Sequence, residues 1–407
     1  MNTNASQPVI MQIIPELGAG GAEQGCIDIA AEIVKAGAKA IVVSNSGYRV
    51  SELARAGAIH IDMPVHSKNP VIMWKNVARL KKIIKRHNVG IVHARSRAPA
   101  WSAWRACKGT DAHFITTCHA PYNISGEAKR IYNTSIANGE IIIAISDFVA
   151  QYLQDNYNVE PERIRTIHRG IPIERFHPTA VTAERMIDLA TQWRIPDGAN
   201  IIMMPGRITR WKGHHILIAA MAKLNRPDVF CVIIGSDQGR TEYRQELDQY
   251  IEEQGLGTQI RIVEQCHDMP AAYMLSTVVV SASTDPEGFG RIPVEAQAMG
   301  RPIIASDHGG ARETILRGET GWHVPPSDPD ALAQAMHEAL SLDPSQRAIL
   351  ATRSMAHVAA HFTKDIMADK TLGVYAEVLK NSITAKKSDP FLKSTEKNQQ
   401  QQLDAAE

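Results

Sequence analysis

The sequence predicts an α/β protein built from two Rossmann-like domains that face a cleft. Three observations predict it. Short apolar runs alternate with amphipathic helical patterns along residues 9–145, the grammar of a parallel sheet with helices on both faces. The same grammar restarts at Ile201. Between the two series lie residues 168–191, where Gly170, Pro172 and Pro178 suit an interdomain connection. A length of 407 residues with 44% apolar side chains is enough for two full cores. The boundaries read as 1–176 and 177–363, then a helix over 364–381 and a tail over 382–407.

Taken in order, strands are expected at 9–14, 40–44, 59–63, 91–94, 114–119 and 141–145. Helices are expected at 22–36, 71–87 and 98–107. The second series places strands at 201–204, 230–234, 260–263, 278–281 and 302–305, with helices at 242–254 and 331–340 and one ending near Leu224. A further helix over 364–380 is expected to pack back on the first domain. From Ser382 the chain turns Lys-, Ser- and Gln-rich, a composition without a core that reads as disordered.

Net charge is only +1, but it is unevenly placed. Residues 1–176 hold 21 Lys and Arg against 14 Asp and Glu, or +7, and the remainder holds 23 against 29, or −6. Either the first half meets an anionic partner, such as a phosphorylated glycolipid or a membrane surface, or this is ordinary surface scatter. No nucleic-acid partner is expected. The five cysteines are scattered without a Cys-x-x-Cys pair, so neither a zinc site nor a disulfide framework is indicated, and a reducing cytoplasm fits. Residues 1–7 lack the features of a signal peptide. No run approaches the ~18 apolar residues that span a bilayer, so membrane association, if any, is expected to be peripheral. Residues 71–87 interleave Val71, Trp74, Val77, Ala78 and Ile84 with Lys75, Arg79, Lys81, Lys82, Lys85 and Arg86. That helix either lies on an anionic membrane or is a solvated outer face.

Two motifs carry the chemistry. After the strand at 201–204 stands Gly206-Arg207-Ile208-Thr209-Arg210-Trp211-Lys212-Gly213, which opens a helix. Arg207 and Lys212 beside a helix N-terminus suit a diphosphate. About 80 residues later, Glu287-Gly288-Phe289-Gly290-Arg291 follows the strand at 278–281, and Glu295 lies one turn into the next helix. Gly288 and Gly290 let the backbone approach a ligand, and successive amides can cradle an anion. Pro293 suits the first helical turn. The Glu-x7-Glu spacing inside Glu-Gly-Phe-Gly-x4-Glu-Ala, paired with the Arg207/Lys212 motif, resembles the donor-sugar site of the retaining glycosyltransferases of family 4. His308-Gly309-Gly310-x-x-Glu313 fits the same family's C-terminal pattern.

The resemblance covers residues 9–380 and implies the GT-B fold, a nucleotide-diphosphate sugar as co-substrate, and no metal or other cofactor. It implies that Arg207 and Lys212 neutralise the leaving diphosphate. Glu287 and the backbone of Phe289, Gly290 and Arg291 orient the sugar, and Glu295 holds the ribose hydroxyls. The Gly18-Ala19-Gly20-Gly21 loop is either a tight turn or, as in the family, an approach to the donor diphosphate. His119 at a strand end is either structural or the family's sugar-contacting histidine. Asp328-Pro329-Asp330 precedes a helix and reads as an N-cap rather than a metal site. Arg95, Arg97 and Arg105 are candidates for an anionic acceptor. A short likeness around residues 92–101 and 116–119 leans toward bacterial lipopolysaccharide-core members acting on a glycan or glycolipid. The alternatives are a sugar-nucleotide 2-epimerase, a glycan phosphorylase with a pyridoxal-phosphate lysine, and a GT-B scaffold that binds nucleotide without turnover.

Overall fold

The computed structural model describes residues 7–388, apart from Ala19, Asn123 and Ser125. The expected leader-free start and most of the tail, residues 1–6 and 389–407, lie outside the described residues.

The first unit runs β1 (Val9–Ile13), α1 (Gly21–Lys35), β2 (Lys39–Ser44), α2 (Val50–Arg55), β3 (Ile59–Asp62), α3 (Pro70–His87) and β4 (Ile91–Ala94). It continues through α4 (Arg97–Cys107), β5 (His113–Cys118), α5 (Glu127–Asn133), β6 (Ile141–Ala144), α6 (Asp147–Tyr157) and β7 (Ile164–Thr166). The second unit has α7 (Ala183–Gln192), β8 (Asn200–Pro205), α8 (His214–Leu224), β9 (Val229–Ile234), α9 (Thr241–Glu253), β10 (Ile260–Val263) and α10 (Met269–Leu275). After these come β11 (Val278–Ser281), α11 (Arg291–Ala298), β12 (Ile303–Ser306), α12 (Ala311–Thr314), β13 (Trp322–Val324), α13 (Pro329–Leu340), α14 (Pro344–His361) and α15 (Lys364–Ser388).

The strands form two parallel sheets, ordered β3-β2-β1-β4-β5-β6-β7 and β10-β9-β8-β11-β12-β13. In each, chain order reverses once, between β1 and β4 and between β8 and β11. Ligands of doubly wound sheets bind outside the carboxyl strand ends at such a point. Both chemistry-bearing motifs leave the strands that flank it, β8 and β11. Strand β11 shows why central parallel strands read as unbroken apolar runs: Val279 packs into one core cluster and Val278 and Val280 into another.

Several expectations need correction. Residues 168–191 are not a plain connection, because α7 forms inside them, capped by Thr182, whose side chain accepts from Arg185 N. Only Leu189 of α7 is buried and Ile187 faces solvent, so its apolar residues do not mark a buried face. Strands β7 and β13 were not expected; each is a three-residue edge strand with no continuous apolar run. Helix α14 adds to the expected elements, and Asp343 and Gln346 form a capping box around Pro344. In α3 the core-facing residues are Met73, Asn76, Leu80 and Ile84, while Val71 and Trp74 face solvent. Helix α15 continues to Ser388 rather than ending at residue 381.

The C-terminal helix returns to the first unit. Met367, Ala368, Val374, Tyr375 and Val378 join the core formed by α1, β1 and β2. The Tyr375 hydroxyl lies 2.7 Å from His93 Nδ1 in the buried interior. Where the chain crosses, Ile171 bridges Thr363 in parallel, and a Cβ on Gly170 would stand 2.2 Å from the Thr363 carbonyl oxygen. No described helix is long and apolar enough to cross a membrane.

Candidate functional site

The β8 motif is held by backbone contacts that exclude side chains. A Cβ on Gly213, at φ +77°, would meet the Ala282 carbonyl oxygen at 1.9 Å, and one on Gly235 would meet that of Gly206 at 1.8 Å. Thr284 N donates to the Trp211 carbonyl at 2.7 Å, so the β8 and β11 loops are laced together. Within this lacing, Lys212 Nζ donates to Glu287 Oε1 at 2.7 Å. Ser283 Oγ donates to the same oxygen at 2.5 Å. Burial would raise the Glu287 carboxyl, but the Lys212 ammonium and the two hydrogen bonds outweigh it and hold the group below the ordinary glutamate range. Glu287 is therefore a fixed anion at neutral pH. Arg207, by contrast, is exposed and makes no ion pair among the described residues.

The His308-Gly309-Gly310 segment braces this loop from behind. Gly310 N donates to the Glu287 carbonyl at 2.9 Å, and a Cβ on Gly310 would stand 2.5 Å from Phe289 Cα. His308 Nε2 lies 2.9 Å from the Ser283 carbonyl oxygen. One turn into α11, Glu295 accepts from Arg291 Nη2 at 2.8 Å and from the Tyr273 hydroxyl at 2.9 Å. Burial, then the Glu295 charge, pushes the Tyr273 phenol well up, so it remains a donor.

The two units meet over these loops. Ser146 Oγ donates to the Gly288 carbonyl at 2.5 Å. The Glu313 carboxylate accepts from Asp147 N at 2.7 Å and Phe148 N at 2.8 Å, capping α6 from the opposite unit. His168 Nε2 lies 2.9 Å from the same carboxylate. Burial would raise the Glu313 carboxyl, but His168 and the two amides hold it below its ordinary value. Asp147, His168 and Glu313 lie close enough to hold a cation. Both Glu313 oxygens already accept backbone N–H bonds, which accounts for the cluster as a helix cap.

Between the units opens a cleft of about 590 Å³, within the usual size of a small-molecule site. Of the sequence-predicted residues, Gly21, His119, Arg207, Lys212, Glu287, Phe289, Gly290 and Arg291 line it. Gly18, Gly20, Arg95 and Glu295 do not line it, and Ala19 lies outside the described residues. Arg97 is spent elsewhere, donating to Asn133 at 2.7 Å with its guanidinium 3.8 Å from the Tyr122 ring centre. Arg105 lies 3.8 Å from the Trp101 ring centre, in an aromatic patch with Trp74 and Trp104. His119 keeps a buried Nε2 with no partner among the described residues. Burial, then the charges of Arg169 and Arg95, hold its imidazole well below the ordinary histidine range, so it stands neutral at pH 7.

Sequence reasoning missed Arg169, a cleft-lining residue that is only 7% exposed. A Cβ on Gly25 would stand 2.3 Å from its Nη2, so α1 needs a glycine to admit the guanidinium. Asp328 is the N-cap of α13, accepting from Ala331 N at 2.9 Å.

Comparison with known proteins places this geometry. Residues 187–354 match the family described as Glycosyl transferases group 1, and residues 19–175 match Glycosyltransferase Family 4. A crystal structure of a glycosyltransferase from Rickettsia africae is 37% identical, spans 92% of this chain and 100% of its own, and superposes with a TM-score of 0.86. The D-inositol 3-phosphate glycosyltransferase of Jonesia denitrificans is 28% identical over 70% of this chain and 71% of its own. Anabaena HepE, solved in complex with UDP-glucose, shares the fold at 21% identity and a TM-score of 0.78, over 91% of this chain and 99% of its own.

Proposed function

The chain belongs to glycosyltransferase family 4 and is a glycosyltransferase of GT-B fold, and from that premise we propose that it moves a hexose from a nucleotide-diphosphate sugar to a glycan or glycolipid acceptor. The observation that carries the reading is the meeting of Arg207, Lys212, Glu287 and the glycine-bearing turn 288–290 in one interdomain cleft. Breaking a sugar–nucleotide bond builds negative charge on the diphosphate and positive charge on the sugar. Arg207 and Lys212 neutralise the first without a cation, and Glu287 with the 289–291 backbone orients the second. Glu295, its carboxylate fixed by Tyr273, holds the ribose hydroxyls. His119, as a neutral imidazole, hydrogen-bonds the transferred sugar. The Gly18-Gly20-Gly21 loop approaches the diphosphate from the other unit. Transfer with retention proceeds by same-face attack assisted by the leaving phosphate. The UDP-glucose bound by HepE supports a uridine donor, and the relatives acting on D-inositol 3-phosphate support a phosphorylated acceptor.

The basic first unit is read as docking on an anionic surface in lipopolysaccharide or other cell-surface glycan synthesis. Helix α3 supports this reading, since it leaves Val71 and Trp74 62% and 57% exposed among lysines and arginines. The donor assignment is tested by screening nucleotide sugars for thermal stabilisation and for slow hydrolysis. Stabilisation by at least one nucleotide sugar, lost in Arg207→Met, is expected. Indifference to the whole panel would overturn it.

A further inference from the structure

The cleft contains charge that the protein does not neutralise. Arg169 follows β7, and its Nη2 donates to the Gly21 carbonyl. Arg95 follows β4, is 3% exposed, and donates from Nη1 to Gln12 Oε1 at 2.9 Å, while its Nε is buried with no partner. Neither guanidinium makes an ion pair among the described residues. Arg291 arrives at the same helix start from the second unit: a Cβ on Gly21 would stand 3.0 Å from its Nη1. The acids whose charge acts on Arg169 are Asp28 and Glu23 of α1. Asp28 accepts instead from Gln24 Nε2 at 2.8 Å, and burial raises its carboxyl above the ordinary range. Glu23 makes no ion pair with either arginine.

Burying an unpaired cation is costly, and removing its partner from a buried pair is among the larger destabilising changes known. Burial, then the charges of Arg95 and Arg291, pulls Arg169 down to about 9, which still leaves it cationic at neutral pH. The cleft-lining Arg169 guanidinium, with Arg95 buried outside the lining and the unpartnered His119 Nε2 in the same cleft, matches a group with several acceptor oxygens and more than one negative charge. Arg207 and Lys212 stand on the second unit, after β8, and Arg169 and Arg95 on the first, after β7 and β4. The first unit is also the half of the chain with the +7 excess.

We propose that Arg169, backed by Arg95, is the receptor for a phosphomonoester carried by the acceptor, a second anion subsite facing the donor diphosphate across the cleft. This rests on the glycosyl-transfer reading and names its acceptor class.

The test titrates inorganic phosphate into the full chain, alone and with UDP or GDP at saturation, beside glucose 6-phosphate and glucose. Phosphate and the ester should bind with the nucleotide in place, and glucose should bind far more weakly. Arg169→Gln should weaken both anions about tenfold or more, with nucleotide affinity within about twofold. Because a buried substitution can unsettle the fold, Gly25→Ala provides a second arm. Its methyl displaces the guanidinium without removing the charge, and it should also weaken both anions. Wild-type phosphate affinity in a folded variant of either kind would overturn the proposal. So would one-for-one displacement of phosphate by nucleotide, which would put the ion in the donor site, or binding of inorganic phosphate without the ester. If neither nucleotide binds, the donor reading fails, and the phosphate arms still decide the role of Arg169.

Discussion

The two walls of the cleft solve the same electrostatic problem in opposite ways. On the second unit the charges are paired: buried Lys212 with Glu287, and half-buried Arg291 with buried Glu295. On the first, Arg169 lines the cleft and Arg95 is buried outside its lining; both meet only amide and carbonyl oxygens. A paired wall is set before any ligand arrives, and a ligand there exchanges one partner for another. An unpaired wall stores its electrostatic cost until an anion enters. Preorganised ion pairs and an unpaired cation thus share one cleft, the first suited to orienting a sugar and the second to selecting a charged partner.

The largest effect is expected from unpairing the paired wall. Lys212→Met leaves Glu287 largely buried and uncompensated, so a stability loss of about 3–5 kcal/mol is expected at neutral pH, together with loss of transfer. Urea midpoints across pH check it. The Glu287 carboxyl is held low in the folded protein, so its stabilisation is present above the unfolded value of about 4.3 and is lost as pH falls below it. The deficit of the variant should therefore shrink in acid. A deficit independent of pH would mean the pair is packing, not charge.

The next effect lies on the outer face of the first unit. If the proposed docking holds, neutralising Lys81, Lys82, Lys85 and Arg86 together, at on the order of 1 kcal/mol per basic residue, should weaken vesicle binding several hundredfold. Sedimentation at low and high salt should show the difference shrinking as screening rises, with nucleotide affinity unchanged. Equal sedimentation of wild type and variant would make α3 a solvated face.

A smaller effect is expected at Glu295→Ala, whose proposed ribose contact is remote from the breaking bond. The donor Michaelis constant should rise about tenfold, as for a charge-assisted hydrogen-bond pair, with turnover little changed. Reduced turnover at an unaltered Michaelis constant would move Glu295 out of the nucleotide site.

The smallest sharpens the contact between the walls. Glu313→Gln replaces a charged cap of α6 with a neutral one, and a loss of about 1 kcal/mol is expected above pH 5. It should fade at a second, strongly acid pH, where the wild-type carboxyl, held below the ordinary glutamate range, also gains its proton. Matched thermal unfolding at the two pH values measures it.

Much of this molecule was legible because its central strands are unbroken apolar runs and the loops after β8 and β11 carry glycines where backbone atoms nearly touch. The strands around Val278–Ser281 and Ile91–Ala94 needed no tertiary information. Arg169 was illegible for a traceable reason. Its place at a strand end depends on β7, and β7 is three half-buried residues whose central member is Arg165. Without that strand, Arg169 looks like any loop arginine. Glu313 was visible as part of a motif, but its role was not, because the amides it caps belong to a helix 166 residues away in sequence. The capping box of α14 is local, with Asp343 and Gln346 flanking Pro344, and is legible without tertiary information.

The side-by-side crossings at Ile171 and Thr363 have a consequence for building chimeras. The unit that carries Arg95 and Arg169 is discontinuous along the chain, since its core is completed by Met367, Tyr375 and Val378. Exchanging acceptor specificity with a homologue by a single splice near residue 176 would graft a foreign body onto a native closing helix, stranding His93 opposite a mismatched Tyr375. A workable graft has two junctions, one at each crossing, and both must preserve the glycine at 170, whose missing side chain lets the two passes of the backbone touch.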